Sequence, residues 1–293
     1  MKRLAALVLL VTCSTAHAGP WTREAGSFFV QASGARLATR SVYLADFNAY
    51  TFCLTGDCRY VQQQIDLYAE VGVIDRWLTL TGSGTVYRQN DLEGSGRTSG
   101  VGDARLGAWT GLLIAPIHAA LGVTVGVPSG DASPSAGPHA DAVAARIARS
   151  LPLGDGEWNV DLRLSLGESW GGGSFPLRQS LIAEGGAWLR TAGYASSFVY
   201  KLELATRVDR PFFDRATLVL RLFGVESRAT DQQLLDVTNY FGQASGVSDT
   251  ALGAELRLRI WKGLFAAVAV DSAVRGRALP DASLWRVALS YDR

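Results

Sequence analysis

The sequence predicts an all-β protein: a single antiparallel transmembrane β-barrel of twelve strands behind a cleaved signal peptide. Three observations carry that expectation. Residues 158–166 read Trp-Asn-Val-Asp-Leu-Arg-Leu-Ser-Leu, a strict alternation of apolar and polar side chains. Successive side chains of a strand point to opposite faces, so Trp158, Val160, Leu162, Leu164 and Leu166 share one surface. Asn159, Asp161, Arg163 and Ser165 share the other. Comparable segments of about ten residues recur along the chain, the pattern of a barrel that crosses a membrane with strands. A secretion signal stands ahead of all of them.

That signal is read from Lys2 and Arg3, the apolar run Leu4 to Val11, and the small-x-small site Ala16-His17-Ala18, which places cleavage before Gly19. The run is too short to cross a bilayer as a helix. Cys13 raises lipidation as an alternative, but Thr12 is a poor residue ahead of a lipidated cysteine. The expected domains are therefore 1–18, removed, and 19–293, the barrel.

The strands are expected near 26–38, 59–73, 77–88, 101–113, 117–127, 157–169, 178–190, 195–207, 214–227, 249–260, 264–276 and 283–291. Short connectors, among them Ile74-Asp75-Arg76, Ala115-Pro116, Gly171 to Pro176 and Trp261-Lys262-Gly263, alternate with longer ones. The longer set, 39–58, 89–100, 128–156 and 228–248, is rich in Gly, Ser, Asp or Thr, while the remaining two gaps, 191–194 and 277–282, are brief. Outer-membrane barrels have short periplasmic turns and longer outside loops, which puts both termini in the periplasm. Ala140 to Leu151 reads as a short helix on the third outer loop, since Val143 and Ile147 stand four apart and a strand there would make the count odd. A fourteen-strand count, with an extra hairpin near 39–58, stays open.

A basic residue on the lipid face near mid-membrane costs about 2–4 kcal/mol, so the apolar rows must point outward. These rows include Val61, Ile65, Leu67, Ala69 and Val71, then Leu252, Ala254, Leu256, Leu258 and Ile260, and last Trp285, Val287, Leu289 and Tyr291. A soluble β-sandwich also alternates, yet it needs large residues throughout its core, and along the chain many outward positions are Ala or Gly. Trp77, Trp158, Trp261, Trp285 and Tyr291 fall near strand ends, as interface girdles require. Against this, the terminal aromatic of many outer-membrane barrels stands two positions inward here, at Tyr291.

The inner wall then carries Asp66, Glu70, Asp103, Asp161, Glu184, Glu203, Glu255 and Asp271. It also carries Arg105, Arg163, Arg190, Lys201, Arg207, Arg221, Arg257, Arg259, Arg275 and Arg286. Signs mix almost evenly, so wall charge alone gives no strong ion selectivity. Eight-stranded barrels are filled by side chains and sixteen-stranded ones leave a channel, so twelve strands predict a constricted lumen. Most of these charges are expected to pair with one another and hold the barrel's shape. Arg257 and Arg259, on one inward row, are the candidates to attract an anionic or phenolic group.

Composition excludes several function classes. The 28 basic and 27 acidic residues nearly cancel, and they still do once Lys2 and Arg3 leave, which argues against nucleic-acid binding. Cys53 and Cys58, in Cys-Leu-Thr-Gly-Asp-Cys, favour a disulfide clip in an oxidising compartment over a metal pair, with free thiols the competitor. No phosphate cradle, metal cluster or catalytic motif stands out, so no cofactor and no enzymatic role are expected. His118 and His139 are the only histidines of the mature chain.

Gly19-Pro20-Trp21-Thr22-Arg23-Glu24-Ala25-Gly26 resembles the opening of a family of proteobacterial outer-membrane proteins named for the meta-cleavage pathway of phenol degradation. The resemblance continues through Leu67-Tyr68-Ala69-Glu70-Val71-Gly72-Val73-Ile74-Asp75-Arg76-Trp77-Leu78-Thr79-Leu80, a strand, a tight acidic-basic turn and the next strand. Val101-Gly102-Asp103-Ala104-Arg105-Leu106-Gly107 is similar to the family's next strand. It covers the first third of the chain. It implies a barrel that handles aromatic or other hydrophobic compounds, akin to the plugged long-chain fatty-acid channels, although no plug segment is evident ahead of the first strand. The expectation is passive passage of small hydrophobic or aromatic solutes. The alternatives are a structural or loop-binding barrel and, less favoured, a barrel lipid hydrolase using His118 or His139. The expected partners are outer-membrane lipid, such a solute, and the barrel-assembly machinery during biogenesis.

Overall fold

The computed structural model describes residues 19–44, 46–51, 59–93, 96–132, 151–172, 175–191, 193–208, 216–229 and 246–293. The signal peptide, Cys53, Cys58, His139 and the expected helix up to residue 150 lie outside the described residues. The first strands are β1 (Phe28–Thr39), β2 (Ser41–Tyr43), β3 (Ala49–Thr51), β4 (Tyr60–Ile74), β5 (Leu78–Leu92), β6 (Gly96–Gly100), β7 (Ala104–Leu113) and β8 (His118–Val127). They are followed by β9 (Asn159–Gly172), β10 (Phe175–Arg190), β11 (Ser197–Val208), β12 (Ala216–Ser227), β13 (Ser248–Trp261), β14 (Leu264–Arg277), β15 (Leu279–Pro280) and β16 (Leu284–Asp292).

Twelve of these form a closed antiparallel ring, each paired with its neighbour in sequence. β1 closes it by pairing with β4 on one side and β16 on the other, with Phe29 opposite Asp292 and Arg36 opposite Trp285. Closure leaves no unpaired edge, the condition for a sheet to sit in hydrocarbon. The hairpin near 39–58 exists as β2 and β3, but these pair with β15 in a separate small sheet and add nothing to the wall.

Where the strands outrun the expected bounds, they do so beyond the apolar belt. Residues 89–100, expected as a loop, continue β5 to Leu92 and return as β6, with Leu92 opposite Gly96. Hydrophobic alternation marks a strand only where one face meets lipid, so Gln89, Asn90 and Asp91 gave no signal. The Gly171–Pro176 connector is likewise a continuation, β9 and β10 pairing as far as Gly172 opposite Phe175.

The apolar rows point outward. Ile65, Leu67, Val71, Leu162, Leu164, Leu166, Leu252, Leu256, Leu258, Val287 and Leu289 are all exposed. On the opposite face Asp66, Asp161, Ser165 and Asp271 are buried. This inside-out arrangement is stable only if hydrocarbon covers the outer face. Trp77, Trp261 and Tyr291 stand at the short-turn end and Trp158 at the long-loop end, all exposed. Arg275 departs from the expected inner row. A bulge opposite Thr250 and Ala251 turns it out at the rim, where it pairs with Glu226.

Candidate functional site

The lumen is built from three layers. Along β4 the inward residues form a hydrogen-bonded ladder. Tyr60 donates to Gln62 (3.1 Å), Gln62 to Gln64 (2.7 Å) and Gln64 to Asp66 (2.8 Å), while Thr85 donates to the other Asp66 oxygen at 2.7 Å. Such a row repeats every second residue because only those side chains face inward.

Across the barrel, two charge networks line the wall. In the first, Arg163 binds Asp161 (2.6 Å) and approaches Glu184 (3.7 Å), which also meets Lys201 at 2.9 Å. Lys201 reaches Glu203 at 3.9 Å. In the second, Arg221 joins Asp271 (2.8 Å) and Glu255 (3.4 Å), Arg257 joins Glu255 (2.8 Å), and Arg286 approaches Asp271 at 3.5 Å. The second network holds three guanidiniums against two carboxylates. Arg259 is half-buried two positions from Arg257 toward the short-turn rim. Arg105 lies over the Trp188 ring, its guanidinium carbon 5.8 Å from the centroid.

Above these networks, at the long-loop end, an apolar cluster (the seal) joins wall and loops among the described residues. Leu37, Tyr60, Leu92, Phe223, Ala251, Ala273 and Leu284 of the wall meet Val42 of β2, Leu279 of β15 and Leu151 of the third outer loop. Leu37, Tyr60, Leu151 and Leu279 are at most 1% exposed. The segment 151–157 is tied into the mouth by its backbone. Arg88 donates to the Leu153 carbonyl (2.9 Å), Asn90 to that of Pro152 (2.7 Å) and Thr98 to that of Leu151 (2.6 Å). Asp103 accepts from the Asp155 amide at 2.8 Å and from Gly130 at 3.0 Å, so it serves as a loop anchor.

At the short-turn end, residues 19–26 cross the mouth from inside, contrary to the expectation that nothing precedes β1 as a plug. Arg23 bridges Glu70 (2.6 Å) and Asp292 (2.9 Å), its amide donates to Thr79 (2.8 Å), and its carbonyl accepts from Arg76 (3.0 Å). Trp21 leans on the His118 ring with centroids 5.7 Å apart. The wall beneath is glycine because the strap lies directly on it. A Cβ on Gly72 would start 2.0 Å from the Glu24 carbonyl oxygen, and one on Gly167 would start 2.3 Å from Pro20. Inward glycines on strands otherwise filled by long polar residues were the available clue.

Between seal and strap lies a cavity of about 340 Å³, lined by Glu70, Lys201, Glu203, Arg221, Glu255, Arg257 and Arg286 of the expected wall residues and by Arg23, Phe29 and Trp21. That volume is in the range of small-molecule sites. Asp66, Asp103, Arg105, Asp161, Arg163, Glu184 and Arg259 stand outside it.

The seal carries its own pH dependence. Burial, and then the neighbouring Asp103 charge, raises the Asp155 carboxyl; burial raises Glu157 against the opposing pull of Arg190. Carboxyls that hold protons more tightly when docked make docking most favourable below their ordinary values of 3.8 and 4.5. Docking then weakens as pH rises from there through the raised values. Hydrogen exchange at 151–157, corrected for intrinsic rates and referenced to β9, is expected to show protection falling over that range. Rising protection would contradict the assignment.

No family model and no curated protein sequence matches the chain. Among solved structures, the COG4313 outer membrane channel from Pseudomonas putida F1 superposes with a TM-score of 0.58 at 16% identity, over 93% of this chain and 97% of that one. The chain has the fold of an outer-membrane β-barrel. More distant likenesses are the β-domain of the Bordetella autotransporter BrkA (TM-score 0.48, 10% identity, 92% and 100% coverage) and the KdgM porin in complex with disordered oligogalacturonate (0.44, 9%, 90% and 98%).

Proposed function

We propose that this barrel gives passive passage across the outer membrane to small amphipathic solutes, an aromatic ring bearing a phenolic or anionic oxygen being the class that suits it. The observation that carries this reading is the apolar seal standing above a cavity rich in arginine. A strongly hydrated solute crossing the seal loses water contacts without replacement, at a cost of several kcal/mol. An aromatic ring instead exchanges apolar contacts for apolar contacts. Below the seal, Arg221, Arg257 and Arg286 offer charge-assisted donors to its oxygen, and Phe29 and Trp21 offer apolar surface to its ring.

The fully buried side chains of the seal also favour a second reading, a non-transporting barrel that reinforces the envelope. Liposome swelling with phenols and with sugars separates the two. Transport predicts swelling with phenols, faster severalfold in Arg23→Ala, whose strap loses both ion pairs to Glu70 and Asp292. If neither the parent barrel nor Arg23→Ala admits any solute, the structural reading stands.

A further inference from the structure

The outer face of the barrel is not uniform. Beside β1 it sinks into two adjoining hollows that follow consecutive outward positions of that strand. The one nearer the short turns, about 630 Å³, lies over Ala32, with Leu67 and Leu289 as its walls. The one nearer the long loops, about 400 Å³, lies over Gly34, between Ile65 and Val287. Its upper end is closed by Arg36, Gln63, Tyr87 and Trp285.

Arg36 is the anomaly. It is exposed on a lipid-facing row, and no ion pair among the described residues includes it. An arginine facing lipid costs about 2–4 kcal/mol at mid-membrane and about 0–1 near the interface. Trp285 and Tyr87 beside it are interface-type residues, which places the guanidinium at headgroup depth. The unpaired charge available at that depth is phosphate, which a guanidinium grips through two parallel hydrogen bonds. Gln63 is exposed next to it, and the Tyr87 hydroxyl donates to Gln89 at 2.9 Å, so amide and hydroxyl groups suited to sugar oxygens flank the charge.

The trough has the length of a chain from one leaflet. The six steps from Val30 to Arg36 span about 20 Å of strand. At a strand tilt of about 40° this is about 15 Å along the membrane normal, close to half of an apolar band about 25 Å tall. Its open end faces the short turns and its charged end faces the long loops, so the occupant comes from the outer leaflet.

We propose that this face holds one phosphate-bearing glycolipid of the outer leaflet, an acyl chain lying over Gly34 and a phosphate on Arg36. The assignment rests on the outer face meeting lipid and is independent of what passes through the lumen.

Native mass spectrometry of the detergent-solubilised barrel tests it, with bisphosphorylated lipid A, its dephosphorylated form and phosphatidylglycerol as probes. The parent barrel is expected to retain the bisphosphorylated form at least about tenfold more tightly than either other probe, since a hydrogen bond to a charged group is worth that factor or more. Arg36→Ala is expected to remove that preference. Gly34→Leu, which keeps the charge but fills the trough, is expected to weaken retention of both lipid A forms. A Cβ at Gly34 meets nothing closer than Val287 at 3.9 Å, so the wall accommodates it. Heat-modifiable gel migration verifies folding, and unchanged solute swelling in both variants separates this site from the lumen. Retention by Arg36→Ala and Gly34→Leu equal to the parent's, or equal retention of phosphatidylglycerol, overturns the proposal.

Discussion

Arg221→Ala is expected to destabilise the folded barrel by about 3–5 kcal/mol, the cost of leaving a buried charge without its partner. Arg221 holds Asp271 at 2.8 Å and Glu255 at 3.4 Å, and Asp271 is only 1% exposed. Arg286 stays 3.5 Å from the second Asp271 oxygen, which places the effect toward the lower end of that range. Reversible urea unfolding into lipid vesicles measures it. The double variant Arg221→Ala with Asp271→Ala is expected to recover part of the loss, because removing both partners removes the unpaired charge. If the single variant unfolds at the parent's midpoint, water already fills this part of the lumen and the network does not brace the wall.

Leu256→Arg is expected to cost about 2–4 kcal/mol, although the next residue, Arg257, is an arginine already. The two positions differ only in the face they present. Leu256 is 48% exposed on the outer belt, while Arg257 turns inward to Glu255 at 2.8 Å. The same unfolding assay, run beside an Ala267→Arg control on the inner wall opposite Arg257, separates a lipid-facing penalty from crowding. A Leu256→Arg barrel as stable as its parent in lipid, and stable without detergent, would remove the hydrocarbon from the account of this fold.

Much of the barrel was legible before any coordinates. Rows such as Leu252, Ala254, Leu256, Leu258 and Ile260 announce a strand because one face must satisfy lipid at every second residue. The polar partners of those rows announce the lumen by the same rule. The inward aromatics were less visible. Trp109, 2% exposed against Gly122, and Tyr68, which donates to Glu70 at 2.5 Å, sit on polar rows, but their hydrophobicity masks them there. The wall charges were named, yet their division into two networks depends on which strands are neighbours and in what register.

Strand number and the facing of nearly every row follow from residue order, because alternation is a local property that each strand carries within itself. How the two ends of the lumen are filled does not follow from it. Arg23 meets Asp292 across 269 residues, and Leu151, Tyr60 and Leu279 join one apolar cluster from three separate loops and strands. No local period records such contacts. They exist only once the ring has closed and brought its first and last strands together at one rim, leaving room inside for irregular segments to bury what they cannot expose.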